Sequence, residues 1–350
     1  MLTGKGVLIT GGSGSLARVL LRRLLAGEIG VPDRIRLFSR DEAKQHDIRL
    51  AYQRRTVATD EVIYHNYENL VQFQIGDVRD PESIHAALDG IHVVFHAAAM
   101  KQVPTCEYFP YEAVRTNVGG AENLVHAIRT LSTAVETVVG ISTDKACSPV
   151  NVMGMTKALQ ERVLVRGNLD CPSTRFICVR YGNVIASRGS VVPLFLDQIR
   201  SGGPVTITTP EMTRFLLSLD EAVDVIFEAM RSAKQGEIYV PHVPSARIVD
   251  VAAALIGDRP IDVVFTNIRP GEKLHELLVS GEEALRTSRR GRHYVIESLL
   301  PELQPVPFEP ALDRAVSSGT NPLSQDEVAA LLKRHGVSVE SGEAAPSLVR

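Results

Sequence analysis

Short apolar runs recur along the chain, and segments whose apolar residues repeat at helical spacing separate them. The first run lies at 6–10 (GVLIT). Later runs lie at 34–38, 71–75, 92–96, 135–141 and 176–179. Strands that are apolar throughout are typical of sheets covered on both faces by helices. The pattern therefore predicts an α/β fold built on a doubly wound, mostly parallel sheet.

The segment after the first run has the composition of a phosphate-binding turn. It reads GGSGSLA at 11–17, and a helical pattern follows at 18–25. Glycine permits a tight turn and a close approach of the backbone to a pyrophosphate, which the N-terminus of the next helix attracts. We therefore predict a Rossmann-type dinucleotide site. The residues of this turn expected to contact the cofactor are Gly11, Ser13, Gly14, Ser15 and Leu16.

The end of the second run indicates which dinucleotide is bound. Ser39 and Arg40 stand where an NAD site usually places an acidic residue, whereas arginine and small hydroxyls suit the 2′-phosphate of NADP. We therefore predict NADP, with Lys44 as a further contact, although a solvated loop is the preferred alternative for Lys44 alone. After the third and fourth runs, the expected cofactor contacts are Asp77, Val78, Ala97 and Ala98.

Length suggests two domains. With 350 residues the chain can hold a large nucleotide domain and a smaller second one. We assign 1–182 to an NADP-binding Rossmann domain, 183–336 mainly to a smaller C-terminal α/β substrate-binding domain, and 337–350 to a disordered tail rich in Ser, Glu, Ala and Pro. A partial return of the later chain to the first domain stays open.

Composition excludes several other classes of protein. A net charge of −3 without a strongly basic stripe argues against nucleic-acid binding. The 4 cysteines lack metal-ligand spacing and favour a reducing cytoplasm, so we predict no metal site. Because no apolar run approaches the length of a membrane span, we expect a cytoplasmic protein that does not bind a membrane.

An ordered series of motifs resembles one enzyme family. The motifs are HAAAMKQVP (96–104), TNVGG (116–120), STDKA (142–146), RYGNV (180–184), SRGSVVP (187–193), MTRF (212–215) and RPGEK (269–273). Together they resemble extended short-chain dehydrogenase/reductases, above all the UDP-N-acetylglucosamine 4,6-dehydratases that invert C5. The resemblance covers most of the chain. It implies a nucleotide-sugar lyase of polysaccharide or capsule biosynthesis that keeps its cofactor bound.

One position departs from the wider superfamily. Four residues before Lys157, where the superfamily has a tyrosine that accepts a hydroxyl proton, this chain has Met153. A thioether cannot accept that proton. The dehydratases that the chain resembles also carry methionine there, which favours an active enzyme over an inactive relative.

The resemblance also implies catalytic roles. Thr143 would orient the 4-hydroxyl of the sugar, and Lys157 would hold the nicotinamide ribose. Asp144 would act as the acid toward C6. Because Met153 occupies the tyrosine position, Asp144 would also be the best available acceptor for the 4-hydroxyl proton. Lys145 would be the C5 base, which requires a lowered pKa that burial near Lys157 would promote. An Asp–Lys pair is usually a surface ion pair, but this one follows a strand at the edge where such sheets bind ligands.

Further contacts are implied by the same resemblance. For each arginine taken alone, a surface residue remains the alternative. The additional cofactor contacts are Asn117, Lys157, Tyr181 and, shared with the substrate, Lys101. The predicted contacts of the UDP-sugar are Asn183 and Arg188 at the pyrophosphate, Arg214 at the diphosphate or uridine ribose, and Arg269 with Glu272 at the uridine end.

Two other functions stay open, as does the assembly. One is a 4-epimerase, or a dehydratase for another nucleotide sugar, and the other is a non-catalytic relative that binds NADP. We expect a homo-oligomer, from a dimer to a hexamer. The segment 41–69 is long for a connection, and a subunit contact through exposed Tyr52, Tyr64 and Tyr67 is one hypothesis.

Overall fold

The computed structural model describes residues 1–53, 61–131, 134–185, 190–304 and 308–339. Its strands are β1 (Gly6–Thr10), β2 (Arg34–Ser39), β3 (Val71–Ile75), β4 (Val93–His96), β5 (Thr137–Thr143), β6 (Arg175–Tyr181), β7 (Asn183–Val184), β8 (Val205–Ile207), β9 (Thr213–Leu217), β10 (Ile238–Pro241), β11 (Ser245–Arg247), β12 (Val263–Phe265), β13 (Leu277–Val279), β14 (Thr287–Arg290), β15 (His293–Ile296) and β16 (Val316–Ser317).

Its α-helices are α1 (Ser15–Leu25), α2 (Glu42–Gln53), α3 (Glu61–Leu70), α4 (Pro81–Ala87), α5 (Val103–Tyr108), α6 (Pro110–Ala113), α7 (Gly120–Thr130), α8 (Val152–Asp170), α9 (Val191–Arg200), α10 (Leu219–Ser232), α11 (Ile248–Ile256), α12 (Gly281–Ala284) and α13 (Gln325–Arg334). A π-helical segment spans Val114–Gly119, and 3-10 turns span Asp144–Ala146 and Pro301–Leu303. Within the described ranges, no helix combines the length and apolar character needed to cross a membrane.

The main sheet has nine strands in the order β14-β15-β10-β6-β5-β4-β1-β2-β3. The strands from β3 to β10 in this order are parallel, and β15 and β14 add an antiparallel edge. The order reverses between β1 and β4, and ligands of open α/β sheets bind at such a reversal, beyond the carboxyl ends of the strands. The predicted α/β fold with a Rossmann-type doubly wound sheet is confirmed.

The central strands are buried on both faces, as their apolar composition predicts. In β1, Val7 and Ile9 belong to one core with Leu20 of α1, whereas Leu8 belongs to a second core with Phe38. Alternate residues of a strand point to opposite faces. Helices therefore cover each face and leave the ends of the strands as the open edge.

The chain returns to the main sheet after residue 182. Helix α10 packs beside α1, and its Val223 and Ile226 share a core with Leu21 and Leu24. Strand β10 then pairs with β6, and β15 pairs with β10. A cut at residue 182 would therefore separate the sheet from three of its strands.

A smaller group of elements forms the rest of the molecule. Its core contains Phe195 of α9, Val251 of α11 and Leu332 of α13. Three small sheets accompany it, in the orders β11-β9-β7, β12-β8 and β13-β16. Val337 is buried in the same core, so the predicted disordered tail does not begin at that residue. Positions 340–350 of the predicted tail lie outside the described residues.

The segment 41–69 contains two helices, α2 and α3. Tyr52 and Tyr67 stack with their ring centroids 4.4 Å apart, and Tyr67 is only 7% exposed. The expectation of an exposed Tyr67 is therefore wrong, because its ring packs inside this chain. The side chain of Tyr64 lies outside what the structure describes.

Candidate active site

The glycine-rich turn faces the end of β4. Gly11 has a φ of +68°, and a Cβ at this position would lie 2.9 Å from the backbone of Ala97 and Ala98. Gly14 precedes α1 without a side-chain capping hydrogen bond, so amides of the first helical turn are available to an anion. This cradle fits the pyrophosphate of a dinucleotide. The other predicted contacts on this turn, all partly exposed, are Ser13, Ser15 and Leu16.

The residues predicted to distinguish NADP from NAD lie at the end of β2. Ser39 is buried, and its hydroxyl accepts a hydrogen bond within the protein. Arg40 Nη1 lies 3.6 Å from Asp77 Oδ2, and the side chain of Arg40 is 55% exposed. Lys44 pairs with Asp41 at the start of α2, which favours the solvated alternative for this lysine. Arg40 is therefore the predicted cation that a 2′-phosphate could reach most easily.

Asp77 and Val78, two of the predicted cofactor contacts, lie just after β3. Burial would raise the pKa of Asp77, but hydrogen bonds from Arg79 lower it below the ordinary value. The Arg79 Nε atom donates to Asp77 Oδ2 over 2.8 Å. Val78 packs against Gly120, where a Cβ would lie 2.8 Å from its side chain. Asp77 is thus held by Arg79, and Val78 packs against the start of α7.

Asn117 is fully buried in the π-helical segment. Its amide nitrogen donates to Thr156 Oγ1 over 2.9 Å and to Met100 O over 3.1 Å. Its amide oxygen accepts from Met100 N over 2.8 Å. Asn117 therefore ties the loop after β4 to α8. Its direct contact with a cofactor stays a prediction.

Three consecutive residues at the end of β5 form a hydrogen-bonded chain. Thr143 Oγ1 donates to Asp144 Oδ1 over 2.8 Å, and Lys145 Nζ donates to the same oxygen over 3.1 Å. Asp144 is fully buried, and its Oδ2 has no hydrogen-bond partner among the described residues. A buried carboxylate oxygen without a partner is costly. A substrate hydroxyl would satisfy it.

The pKa of Lys145 differs in direction from our expectation. Burial alone would lower it, but the negative charges of Asp144 and Glu276 more than offset burial and raise it above the ordinary value. Glu276 Oε1 lies 3.4 Å from Lys145 Nζ. The expectation that burial near Lys157 lowers the pKa of Lys145 is therefore wrong for this state of the protein, in which Lys145 is an ammonium.

Met153 and Lys157 lie on the first two turns of α8 and are buried. Met153 packs in a small apolar cluster with Cys106. Lys157 Nζ donates to Ile141 O and, over 2.7 Å, to Gln160 Oε1. Burial lowers the pKa of Lys157 to about 8. Lys157 therefore remains mainly protonated at neutral pH and can supply the predicted positive charge.

Two glycines leave space around Asp144 and Lys145. A Cβ on Gly154 of α8 would lie 2.2 Å from the carbonyl oxygen of Lys145. A Cβ on Gly182 would lie 2.5 Å from Phe215 and 3.5 Å from Asp144 Oδ2. Close packing of α8 on the 3-10 turn therefore depends on Gly154, and the open side of Asp144 lies beside Gly182.

Glu276 and Lys273 belong to the site, although the sequence pattern did not single them out. Glu276 is 3% exposed and precedes β13, and its side chain lies near Lys145, Arg214 and Lys273. Lys273 Nζ also donates to Cys147 O over 2.6 Å. Lys273 stands inside the RPGEK motif, so its position was a usable signal. No local pattern marks Glu276.

A buried ionic cluster lies behind the site. Arg180 of β6 pairs with Glu161 of α8 and Glu283 of α12, both at 2.7 Å. Burial would raise the pKa of Glu283, but hydrogen bonds and the charge of Arg180 lower it to about 2. Ser142 donates to Glu161. The cluster thus connects β5, β6, α8 and α12 immediately behind Thr143.

The structure brings several predicted sugar-nucleotide contacts toward this edge. Tyr181 is buried and lies opposite Thr143 in the β5–β6 register. Asn183 Oδ1 is buried without a hydrogen-bond partner in the described part of the chain. Arg214 is largely buried, and its Nη1 donates to Thr213 O over 2.7 Å. Its guanidinium therefore already has protein partners, and a phosphate contact stays a prediction.

The remaining predicted contacts lie farther out. Arg269 is exposed, and its amide donates to Glu272 Oε2 over 3.3 Å. A hydrogen bond links their loop to the start of α8: Asn151, the N-cap residue of that helix, donates from Nδ2 to Gly271 O over 2.8 Å. Lys101 is exposed after β4. The predicted pyrophosphate contact Arg188 lies outside the described residues.

Comparison with known proteins assigns the chain to a family. A family model described as "Polysaccharide biosynthesis protein" matches residues 7–298. The chain belongs to this family. A protein of Rickettsia conorii named UDP-glucose 4-epimerase is 44% identical to this family member over 301 residues, which are 85% of this chain and 84% of that protein.

Solved structures of other proteins have the same fold as this chain. The X-ray structure of Pen from Bacillus thuringiensis matches it with a TM-score of 0.85 and 32% identity, covering 96% of this chain and 99% of that one. DesIV of Streptomyces venezuelae, a dTDP-glucose 4,6-dehydratase solved with NAD, matches with a TM-score of 0.64 and 21% identity over 77% of this chain and 86% of its own. At that identity the DesIV match supports the fold alone.

Proposed function

We propose that this protein is a UDP-N-acetylglucosamine 4,6-dehydratase that inverts C5 and retains NADP. The observation that carries the proposal is Asp144, whose Oδ1 accepts from Thr143 and Lys145 while its buried Oδ2 has no partner among the described residues. A carboxylate placed in this way is a base for a sugar hydroxyl. It supplies the function that Met153 cannot.

The chemistry follows from three side chains. Bound NADP would take up the hydride from C4 and return it to C6. Thr143 orients the 4-hydroxyl, and Asp144 accepts its proton. Lys145 removes the C5 proton, Asp144 gives its proton to the departing 6-hydroxyl, and water leaves. A proton from solvent water then adds to C5 on the opposite face, which produces the inversion, and Lys145 releases the abstracted proton to solvent.

The charge on Lys145 fits this order of steps. In the structure, Asp144 and Glu276 raise the pKa of Lys145, so the resting lysine cannot act as a base. When Asp144 takes the 4-hydroxyl proton, it loses the negative charge that lies 3.1 Å from Lys145 Nζ. The pKa of Lys145 then falls. Lys145, whose side chain is 21% exposed, would then release its proton to solvent and become the base that the elimination at C5 needs.

The experiment is an incubation with UDP-N-acetylglucosamine, followed by an NMR spectrum of the sugar. We expect a 4-keto-6-deoxy sugar, visible as a new methyl doublet. An epimer that retains the 6-hydroxyl would refute dehydration. Unchanged substrate, with cofactor present, would refute the proposed substrate.

A second candidate is a UDP-sugar 4-epimerase, because the R. conorii relative bears the name UDP-glucose 4-epimerase. Epimerisation also begins with oxidation at C4 but leaves C5 and C6 intact, so it does not need a base at Lys145. A parallel incubation with UDP-glucose distinguishes the two. The formation of UDP-galactose without any methyl signal would favour the epimerase.

For the cofactor, we propose NADP on the basis of Arg40, which is exposed beside Asp77 at the end of β2. Neither Ser39 nor Arg40 can bond a ribose 2′-hydroxyl as an acidic residue does. Denaturation of the purified protein should release a dinucleotide with a 2′-phosphate. The release of NAD alone would contradict this proposal.

We also propose a homo-oligomer, between a dimer and a hexamer. Tyr108, Phe109 and Tyr111, on and between α5 and α6, are 83%, 59% and 71% exposed in the single chain. On the adjoining α8, Met155 and Leu159 are also exposed. Exposed aromatic and apolar side chains of this kind are typical of protein interfaces. Light scattering should give the mass of at least a dimer, and the mass of a single chain would contradict the proposal.

A further inference from the structure

Lys145 lies between two buried carboxylates that come from different parts of the chain. Its Nζ is 3.1 Å from Asp144 Oδ1 and 3.4 Å from Glu276 Oε1. The side chains of Asp144 and Glu276 are 1% and 3% exposed, whereas that of Lys145 is 21% exposed. Water therefore screens these attractions only weakly.

The Glu276 carboxylate lies close to more than one positively charged side chain. Its Oε1 lies 3.9 Å from Arg214 Nε, and its Oε2 lies 4.0 Å from Lys273 Nζ. The Oε2 atom has no hydrogen-bond partner among the described residues. One carboxylate thus compensates Lys145 of the 3-10 turn, Arg214 of β9 and the neighbouring Lys273. Without it, the positive charges of Lys145, Arg214 and Lys273 would be balanced, among the residues that the structure describes, only by Asp144.

The backbone of Glu276 is held in place independently of these charges. Its amide donates to Ser318 Oγ over 2.9 Å, and its carbonyl accepts from Ser318 N over 2.9 Å. Ser318 Oγ also lies 2.7 Å from Thr213 Oγ1. The position of Glu276 relative to β9 and β13 is therefore set by contacts that do not involve Lys145.

We propose that Glu276 is a positioning residue that holds the Lys145 ammonium in the site and sets the pH at which Lys145 becomes neutral. The inference rests on the proposed function in one respect, namely that Lys145 acts as the C5 base. Once Asp144 has taken the 4-hydroxyl proton, Glu276 is the negative charge that remains beside Lys145 in the described part of the chain. It opposes the positive charges of Arg214 and Lys273.

The test reads Lys145 directly, without any substrate. Protein labelled with 13C at the lysine Cε is titrated by NMR from about pH 8 to 11, a range that brackets the ordinary lysine pKa, and the Lys145 signal is assigned by its loss in Lys145→Arg. In the wild type, exposed lysines should titrate in this range before Lys145 does. In Glu276→Gln, the Lys145 midpoint should fall by about one pH unit or more, because an opposite charge within 4–6 Å shifts a pKa by about 1–3 units.

Two further variants separate charge from shape. Glu276→Asp keeps the negative charge, and the Lys145 midpoint should stay above that of the exposed lysines. Glu282→Gln removes an exposed carboxylate of α12 and should leave the midpoint unchanged.

Two results would overturn the proposal. One is a Lys145 that titrates together with the exposed lysines in the wild type. The other is an equal fall of the midpoint in Glu276→Gln and Glu276→Asp. If Glu276→Gln does not fold, the wild type and Glu276→Asp still decide the question, because the Lys145 midpoint must exceed that of the exposed lysines in both.

A kinetic measurement distinguishes this inference from the proposed function. If the protein forms the 4-keto sugar, the acid limb of its kcat/KM profile should move to lower pH in Glu276→Gln, in step with the NMR midpoint. If the midpoint moves but the wild type forms no 4-keto sugar, the proposed function fails and the role of Glu276 stands. If product forms but the midpoint does not move, the role of Glu276 fails alone.

Discussion

In the proposed dehydratase, Asp144 would be the proton acceptor, because the thioether of Met153 cannot accept a proton. Its carboxylate is fully buried, one oxygen is occupied by Thr143 and Lys145, and the other is without a partner among the described residues. The methionine lies buried in an apolar cluster with Cys106. In the proposed reaction, acid–base chemistry would therefore depend on Asp144, and Met153 would contribute only its shape.

We expect Asp144→Asn to lower the rate of 4-keto sugar formation by about a hundredfold to ten-thousandfold, since the amide cannot accept the hydroxyl proton. Met153→Leu is the matched control, because it retains an apolar side chain of similar volume. Its rate should stay within about tenfold of the wild type, because leucine keeps the apolar shape and the thioether takes no part in proton transfer. Initial rates by NMR, with cofactor content measured in parallel, provide the comparison.

Near-normal turnover in Asp144→Asn would show that another group accepts the proton. If Met153→Leu were as slow as Asp144→Asn with cofactor still bound, the sulfur would have a role of its own.

Lys157→Ala should also be inactive, because no nearby described residue duplicates the positive charge that Lys157 carries below a pKa of about 8.

Among the elements, the site depends on how α8 packs on the 3-10 turn that follows β5. The helix begins after Asn151, whose side chain accepts from Gly154 N over 2.8 Å. A Cβ added to Gly154 would lie 2.2 Å from Lys145 O. Because the obstacle is backbone, a side chain at position 154 cannot be accommodated by a rotamer change alone.

We expect Gly154→Ala to destabilise the protein by about 1–3 kcal/mol through overpacking, although alanine favours a helix over glycine by about 1 kcal/mol. Gly281→Ala, at the first residue of α12 where a Cβ meets no atom within 4 Å, is the control. It should change stability by less than about 0.5 kcal/mol. Urea denaturation of both variants measures the difference, and equal stabilities would show that α8 shifts freely.

Across the whole molecule, the Arg180 cluster joins elements that are distant in sequence. It connects β6 and α8 of the Rossmann core with Glu283 of α12, which follows β13 and the Glu276 position. The pKa of Glu283 is lowered to about 2. Its stabilising contribution is therefore complete above the ordinary pKa of 4.5 and is lost as the pH falls toward about 2.

We expect Arg180→Met to destabilise the protein by about 3–5 kcal/mol, because Glu161 and Glu283 would remain buried without their cation. The control is Arg166→Met on the same helix as Glu161, where the arginine is 53% exposed and pairs with Asp170 at 2.9 Å. This change should cost about 0–1 kcal/mol. Thermal or urea unfolding near neutral pH measures both, and similar losses would contradict a structural role for the buried cluster.

Local patterns along the chain were enough to predict the features that depend on neighbouring residues. The apolar runs predicted the sheet, and the glycine-rich turn between a strand and a helix predicted the cradle that Gly11 forms with Ala97 and Ala98. Asp144 and Lys145 could be placed at the carboxyl edge because they directly follow β5. In each case the predicted residues lie in a loop that directly follows a strand of the sheet.

The charge of Lys145, and the residues that control it, depend instead on contacts between distant parts of the chain. Glu276 and Arg214 come close to Lys145 because the chain leaves the sheet after β6, builds the smaller core and then passes the site again before β13. No local spacing marks such an approach. The pKa of a buried amine depends on every charge within a few ångströms, whatever its separation along the chain. For that reason sequence reasoning located Lys145 correctly but predicted the wrong direction for its pKa.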